Sequence, residues 1–279
     1  MVRNQRIISS TFLYLLSIIA LVAFIFPFVL LIINSFKSNG EILTSPFALP
    51  EKLDFSQFIE VYNLMNFGVT FTNSFIVTTL STFFIVFFSA MAAYHLVRRP
   101  SKFNKFFFTV LVASMVIPFQ SLMIPLIYIY GAKLQLIDAI PIPLLIIFYL
   151  GFGSALSVFM FHGFIKAIPI EVEEAAKIDG CSTLQTFFLI VFPMLKPIAV
   201  TISILNVLWI WNDYLLPSLV LNHPDVYTMP VQMKVFNGTY MNNWELLIPA
   251  ILLTVIPILV MYIIGQRSII NGVMQGSIK

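Results

Sequence analysis

Residues 173–180 read Glu-Glu-Ala-Ala-Lys-Ile-Asp-Gly, a charged stretch that lies between two long apolar segments of the chain. Of the 279 residues, only 10% are charged, 59% are hydrophobic, and the mean hydropathy is +0.98. Soluble domains carry about 25% charged residues, so this composition excludes a water-soluble fold and indicates a protein of the lipid bilayer. The charged stretch is then expected to contact a soluble partner. The alternative is a solvated connector that binds nothing.

Six segments are long and apolar enough to cross the hydrocarbon core as helices, which takes about 20 residues. They lie at about 12–34, 71–97, 106–130, 142–165, 198–221 and 246–266. They are too long and too uniformly apolar for the strands of a membrane barrel. The sequence therefore predicts an all-α integral membrane protein with six transmembrane helices.

The distribution of Lys and Arg predicts the orientation of these spans. With the N-terminus in the cytoplasm, eleven of the fifteen basic residues fall on the cytoplasmic side and four on the outer side. Cytoplasmic loops of membrane proteins carry such an excess. The first apolar run, from Ile7 to Ile33, is too long for a signal-peptide core and is interpreted as a retained span. Both termini are therefore predicted to be cytoplasmic.

Local sequence rules predict two short helices around the charged stretch. Glu173 and Lys177 are spaced i,i+4 in the order that favours an ion pair on one helix. Gly180 is a natural helix stop, because glycine readily adopts the left-handed conformation. Ser182 and Gln185 have the spacing of a capping box, so a second helix can begin there.

The same stretch resembles a known family motif. Glu174–Ala176, three residues, Gly180, nine residues, Ile190, one residue and Phe192-Pro193 resemble the EAA loop of ABC importer permeases, whose pattern is E-A-A-x3-G-x9-I-x-L-P. The chain departs from this pattern only at Phe192, where leucine is usual and a bulky apolar residue remains.

Other segments extend the resemblance over essentially the whole chain. They include Asn73-Ser74, Trp211-Asn212-Asp213 and the C-terminal stretch 272–279. Together they resemble the carbohydrate-uptake permeases of ABC importers. The resemblance implies a type I ABC importer permease fold with cytoplasmic coupling helices, in the plasma membrane of a bacterium or archaeon. It implies the permease subunit of an ATP-driven importer for a sugar or oligosaccharide.

In that family the EAA loop docks on a cytoplasmic ATPase, whose closure switches the spans between inward-facing and outward-facing states. The resemblance assigns this coupling role to Glu173, Glu174, Ala175, Ala176, Asp179, Gly180, Ile190 and Pro193. It also implies three kinds of partner besides membrane lipid: cytoplasmic ABC ATPase subunits, a second homologous permease and an extracytoplasmic solute-binding protein. It implies no nucleic acid partner.

No enzymatic or cofactor site is expected in the chain itself. The sequence contains no G-x-x-x-x-G-K-[ST] phosphate loop, so ATP must be bound by another subunit. His95, His162 and His223 lack metal-ligand spacing, and no catalytic Ser/His/Asp arrangement is visible. Cys181 is interpreted as a small turn residue. No catalytic residue, metal or cofactor is predicted.

The predicted domain organisation has three parts. Residues 1–70 hold the first span and an external loop, 71–268 form the permease core with the EAA loop at 166–196, and 269–279 form a cytoplasmic tail.

Polar residues in or near the spans are candidates for the translocation path. They are Gln120, Asn206, Trp211, Asn212 and Asp213. Aromatic faces and amide groups suit sugars, and a charge within a span is costly and is often functional. For Asp213 the alternative is a structural pair that ties helix ends together. The basic cluster at 98–105 is interpreted as a topology signal that contacts lipid headgroups.

Two other functions remain open at this point. An ABC permease for another polar solute, such as a glycerol phosphate or an osmolyte, would share the EAA loop. A stand-alone channel or membrane scaffold would work without any ATPase.

Overall fold

Helices account for the regular structure, and the residues described contain no β-strand. The computed structural model describes the backbone of residues 2–236 and 243–277, and the side chains of 13–236 and 243–266. The helices are α1 (Val2–Asn34), α2 (Asn39–Thr44), α3 (Ser56–Leu64), α4 (Phe67–Arg98), α5 (Lys102–Ser114), α6 (Met123–Leu126), α7 (Leu136–Ala139), α8 (Pro141–Lys166), α9 (Glu171–Ile178), α10 (Thr183–Thr186), α11 (Phe192–Met194), α12 (Lys196–Asn212), α13 (Leu215–Val220), α14 (Met229–Gln232) and α15 (Trp244–Ser277). Short 3-10 helices occupy Phe119–Ser121, Pro224–Val226 and Met233–Phe236, and π-helical turns occupy Ile127–Lys133 and Phe187–Val191.

Four of the predicted spans are single helices. Within the described residues, Leu13–Asn34, Phe67–Arg98, Pro141–Lys166 and Trp244–Gln266 are each long and apolar enough to cross a membrane. In α1 the side chains from residue 13 to residue 29 are all exposed, and Phe26 stacks on Phe47 with ring centroids 6.2 Å apart. The C-terminal tail is helical as far as Ser277; its side chains and the last two residues lie outside the described part of the chain.

The fifth predicted span, at 198–221, is not one continuous helix, because α12 ends at Asn212 and α13 covers Leu215–Val220. α12 has 17 residues, close to the shortest length that crosses the hydrocarbon core. A sharp bend of 74° separates it from the preceding helical stretch Thr183–Met194. At its other end the helix stops at Asp213, whose carboxylate accepts a hydrogen bond from the N–H of Leu215 at the start of α13.

The third predicted span, at 106–130, is not one continuous helix, and this part of the prediction is wrong. α5 ends at Ser114, and the chain then forms only short helical pieces. Pro118 and Pro125 explain the break, since proline removes a backbone donor and disfavours helix in the residue before it. A cavity of about 750 Å³ lies beside these pieces, with a largely apolar lining that includes Tyr130, Phe148 and Phe152.

The chain forms two compact units. The first contains Met1–Phe67 and Met233–Ile256. Its buried centre includes Lys37, whose ammonium donates to Asn34 Oδ1 at 3.1 Å and to the Ser45 carbonyl at 2.9 Å. These hydrogen bonds satisfy a charge that would otherwise be costly to bury.

The second unit contains Gly68–Gln232 and Pro257–Lys279, and α4, α8 and α12 supply most of its core. One buried cluster joins α4 and α8 to the region around α13, through residues such as Ile85, Leu145 and Val220. The other joins the end of α4 and the end of α8 to the stretch 187–202, through residues such as Ala93 and Phe161. This second cluster supports the charged loop.

Gly153 allows three helices of this unit to pack closely. A Cβ placed there would lie 2.6 Å from Ile85 Cδ1 on α4 and 2.9 Å from Asn206 Oδ1 on α12. We expect Gly153→Val to lower the free energy of unfolding by about 1–3 kcal/mol, the usual cost of overpacking. Gly151→Val is the matched control, because a Cβ at Gly151 meets nothing within 4 Å. Thermal unfolding in detergent tests this, and equal melting temperatures for the two variants would contradict it.

Candidate functional site

The loop between α8 and α12 forms two helical arms joined by a tight turn at Gly180. Gly180 has φ +86°, the left-handed conformation expected for a glycine stop. Its N–H donates to the Lys177 carbonyl at 3.1 Å, and the N–H of Cys181 donates to the Ala176 carbonyl at 3.0 Å. These two bonds form a Schellman motif. The predicted end of the first helix at Gly180 is confirmed, and residues within the turn itself determine where the helix ends.

The second arm begins with the predicted capping box. The N–H of Ser182 donates to Gln185 Oε1 at 2.8 Å, and the N–H of Gln185 donates to Ser182 Oγ at 3.3 Å. Two otherwise unpaired donors at the start of the helix are therefore satisfied. The direction of each arm is set within a few residues of the turn, so the two arms and the turn form one defined unit.

Glu173 points into the protein, so the predicted ion pair with Lys177 is wrong. Its residue exposure is 1%, and its carboxylate binds two side chains of α4. Arg98 Nε donates to Oε1 at 2.7 Å, and the Tyr94 hydroxyl donates to Oε2 at 2.8 Å. Arg98 also donates through Nη2 to the Ile168 carbonyl at 3.0 Å. A charged hydrogen-bond network thus fastens the first arm to the end of α4.

Arg98 and Tyr94 are the residues that the sequence interpretation missed. The sequence places Arg98 in a basic cluster that contacts lipid headgroups, whereas only 15% of its side chain is exposed and it forms the buried ion pair with Glu173. The available signal was the i,i+4 spacing of Tyr94 and Arg98, which puts a hydroxyl and a guanidinium on one face of α4.

The opposite face of the first arm is open. Glu174, Ala175, Ile178 and Asp179 are exposed, and Ile178 is 87% exposed despite its apolar side chain. Leu184 is 62% exposed just beyond the Gly180 turn. Ala176, to which the resemblance assigns a coupling role, is buried. The loop thus presents carboxylates and two large apolar side chains outward while Glu173 and Ala176 hold it from behind.

The second arm is anchored by Phe187 and Val191, which are not among the defined residues of the EAA pattern. Phe187 and Val191 are buried in the cluster that contains the end of α4, whereas Ile190 is half-buried and Pro193 is exposed. The π-helical turn at Phe187–Val191 accounts for the difference, because one extra residue in the turn rotates the residues that follow. Beside the loop, a cavity of about 280 Å³ lies against Tyr94, Arg98 and Glu173.

The translocation-path candidates lie in different environments. Asn206 is buried between α8 and α12, where its Nδ2 donates to Ser157 Oγ at 3.3 Å and to the Ile202 carbonyl at 2.9 Å. Trp211 is 2% exposed and contacts Phe71 edge to face, with ring centroids 5.9 Å apart. Both side chains therefore contribute to helix packing within this unit.

The other three candidates are more accessible. Gln120 and Asn212 are exposed, and Asn212 Nδ2 donates to the Leu208 carbonyl at 2.7 Å. Asp213 is half-buried, and its Oδ2 accepts a hydrogen bond from the Tyr149 hydroxyl at 3.0 Å. This bond joins the first half of α8 to the junction of α12 and α13. A role of these residues in substrate binding stays a prediction.

Comparisons with known proteins give consistent results. The family described as binding-protein-dependent transport system inner membrane component matches residues 85–268. The probable starch degradation products transport system permease AmyC of Thermoanaerobacterium thermosulfurigenes is 36% identical over 95% of this chain and 97% of its own length. The melibiose/raffinose/stachyose import permease MelC of Bacillus subtilis is 36% identical over 99% of both chains.

A solved structure matches the fold. It is a crystal structure of a bacterial ABC transporter involved in the import of the acidic polysaccharide alginate. One chain of it superposes with a TM-score of 0.78 over 95% of this chain and 97% of that chain, at 22% sequence identity. The predicted ABC permease fold is therefore confirmed.

Proposed function

Because this chain belongs to the family of binding-protein-dependent transport system inner membrane components, we propose that it is the permease subunit of an ATP-driven importer for a sugar or oligosaccharide. The observation that carries the cargo class is the 36% identity to the melibiose/raffinose/stachyose permease over 99% of both chains. The relative named for starch degradation products supports the same class of cargo. The chain itself is a transport component and not an enzyme.

The charged loop is the coupling site of this permease. Its exposed face, with Glu174, Ala175 and Ile178, docks on a cytoplasmic ATPase subunit that binds the ATP. Glu173 transmits the displacement of the loop to α4, since a short ion pair with Arg98 resists separation better than apolar contact alone. Gly180 keeps the two arms at a fixed angle, so that they move as a rigid body.

The family description and the loop together support the set of partners. A solute-binding protein delivers the sugar from outside, a second homologous permease completes the pore, and ATPase subunits dock from inside. The charge distribution supports cytoplasmic termini in a plasma membrane. We assign the permease core to residues 71–268, the N-terminal span and external loop to 1–70 and the tail to 269–279. No cofactor is assigned to this chain.

Uptake by the reconstituted transporter tests the proposal. Proteoliposomes containing this chain, its partner permease and the ATPase subunits, together with the solute-binding protein, should accumulate a labelled oligosaccharide such as raffinose or maltotriose only when ATP is present. Competition by glycerol 3-phosphate or glycine betaine, without competition by any oligosaccharide, would show that the cargo class is wrong. Uptake that persists after the ATPase subunits are left out would show that the chain is a channel.

A further inference from the structure

A second basic site lies where α4 ends, α5 begins and α8 ends, and it shares no lining residue with the cavity beside Glu173 and Arg98. The cavity there has a volume of about 720 Å³ and is lined by Lys102, Lys105, Lys166 and His162, among others. The three lysines come from two different helices, so only the fold brings them together. None of these residues contributes to the coupling network described above.

The charge in this cavity is uncompensated. Among the described residues, no Asp or Glu lines the cavity, whereas at the coupling loop Glu173 balances Arg98. The N-terminal end of α5 adds the positive end of a helix dipole, because α5 begins at Lys102. A cavity lined by three lysines and no carboxylate residue favours an anionic occupant.

The cavity is also held in a fixed shape. Asn104, which is buried, donates through Nδ2 to the Arg99 carbonyl at 2.6 Å. Its N–H donates to Ser101 Oγ at 3.0 Å, which caps the start of α5. The turn between α4 and α5 is therefore braced, and His162 of α8 stacks on Phe108 of α5 with ring centroids 3.9 Å apart. The basic groups are held on structured elements instead of on a free loop.

The apolar surroundings indicate a lipid. Leu96, Val97 and Phe108 form part of the cavity wall. Phe103 and Phe106 on α5 are 72% and 66% exposed, as expected of side chains that face acyl chains. We propose that this cavity binds the headgroup phosphate of an anionic phospholipid such as phosphatidylglycerol, with the acyl chains along α5. Basic pockets between transmembrane helices at the cytoplasmic side bind such headgroups in other membrane proteins.

Native mass spectrometry of the purified protein, titrated with phosphatidylglycerol in detergent, tests this site. The double variant Lys102→Gln/Lys166→Gln should bind phosphatidylglycerol about thirtyfold more weakly. Each lysine near a lipid phosphate contributes about fivefold, and the two factors multiply. The control variant Lys52→Gln/Lys133→Gln loses the same two charges at exposed lysines outside the cavity. It should bind phosphatidylglycerol as tightly as the parent protein does. Lys102→Arg/Lys166→Arg keeps the charge and should also retain the lipid.

Three outcomes would overturn the proposal. Equal weakening in the Lys52/Lys133 control would mean that general surface charge attracts the lipid. Equal retention of phosphatidylcholine would mean that the cavity does not select an anion. Displacement of phosphatidylglycerol by inorganic phosphate at an equal concentration would mean that a free phosphate, and not a lipid, is the occupant.

Discussion

Replacing Arg98 by alanine is expected to abolish ATP-driven uptake while the same change at Arg99 leaves uptake intact. Arg98 is the ion-pair partner of Glu173, and the carboxylate is buried, so removal of the guanidinium leaves an uncompensated charge inside the protein. Removing one partner of a buried ion pair typically lowers the free energy of unfolding by about 3–5 kcal/mol. Arg99 is the neighbouring residue and is exposed, so its replacement removes the same charge while the hydrogen bonds from Arg98 and Tyr94 to Glu173 are kept.

The measurement compares uptake and ATP hydrolysis in proteoliposomes. Arg98→Ala should leave the ATPase subunits able to hydrolyse ATP while transport is lost, because the loop no longer moves α4. Arg98→Met/Glu173→Leu should regain stability, since apolar replacement of a buried pair is often neutral or stabilising. Uptake by Arg98→Ala at the level of Arg99→Ala would refute the role assigned to this ion pair.

The second large effect is expected at the turn, where Gly180→Val should prevent coupling without removing the protein from the membrane. The obstacle is the backbone conformation and not space, because a Cβ at this position meets nothing within 4 Å. The left-handed conformation costs an L-residue about 1–2 kcal/mol, and it is least accessible to a β-branched side chain. The strain is relieved by opening the Schellman bonds, so that the two arms lose their fixed angle.

Gly180→Asn is the matched variant, because asparagine tolerates the left-handed region. We expect transport near the parent level for asparagine and a loss of at least tenfold for valine, at equal amounts of protein in the membrane. Equal transport by the two variants would show that the backbone conformation at residue 180 does not matter for coupling.

The parts of the site that were predicted from sequence depend on near neighbours. The Gly180 stop and the Ser182–Gln185 capping box each involve residues within about five positions, so local rules suffice for them. The four uninterrupted spans were predictable for a similar reason, since length and hydropathy alone make a helix stable in lipid.

The parts that were missed depend on distant contacts or on competition between rules. Glu173 could pair with Lys177 by spacing, yet Arg98, 75 positions away, offers a buried partner that only the fold brings near. At 106–130 the apolar composition favoured a helix, but Pro118 and Pro125 removed backbone donors that such a helix needs. The buried positions of Asn206 and Trp211 likewise follow from helix packing that no local pattern reveals.

The order of the apolar residues along the first helix, α1, is only weakly constrained by the rest of the described structure. Its side chains from residue 13 to residue 29 are all exposed, so the described residues bury none of them. Rearranging these residues among themselves would keep the hydrophobic length of the helix, which matches the hydrocarbon thickness of the bilayer. It would change no buried side chain of the described residues. This stretch is therefore the natural place to graft a spectroscopic probe or to redesign which neighbouring polypeptide the protein touches.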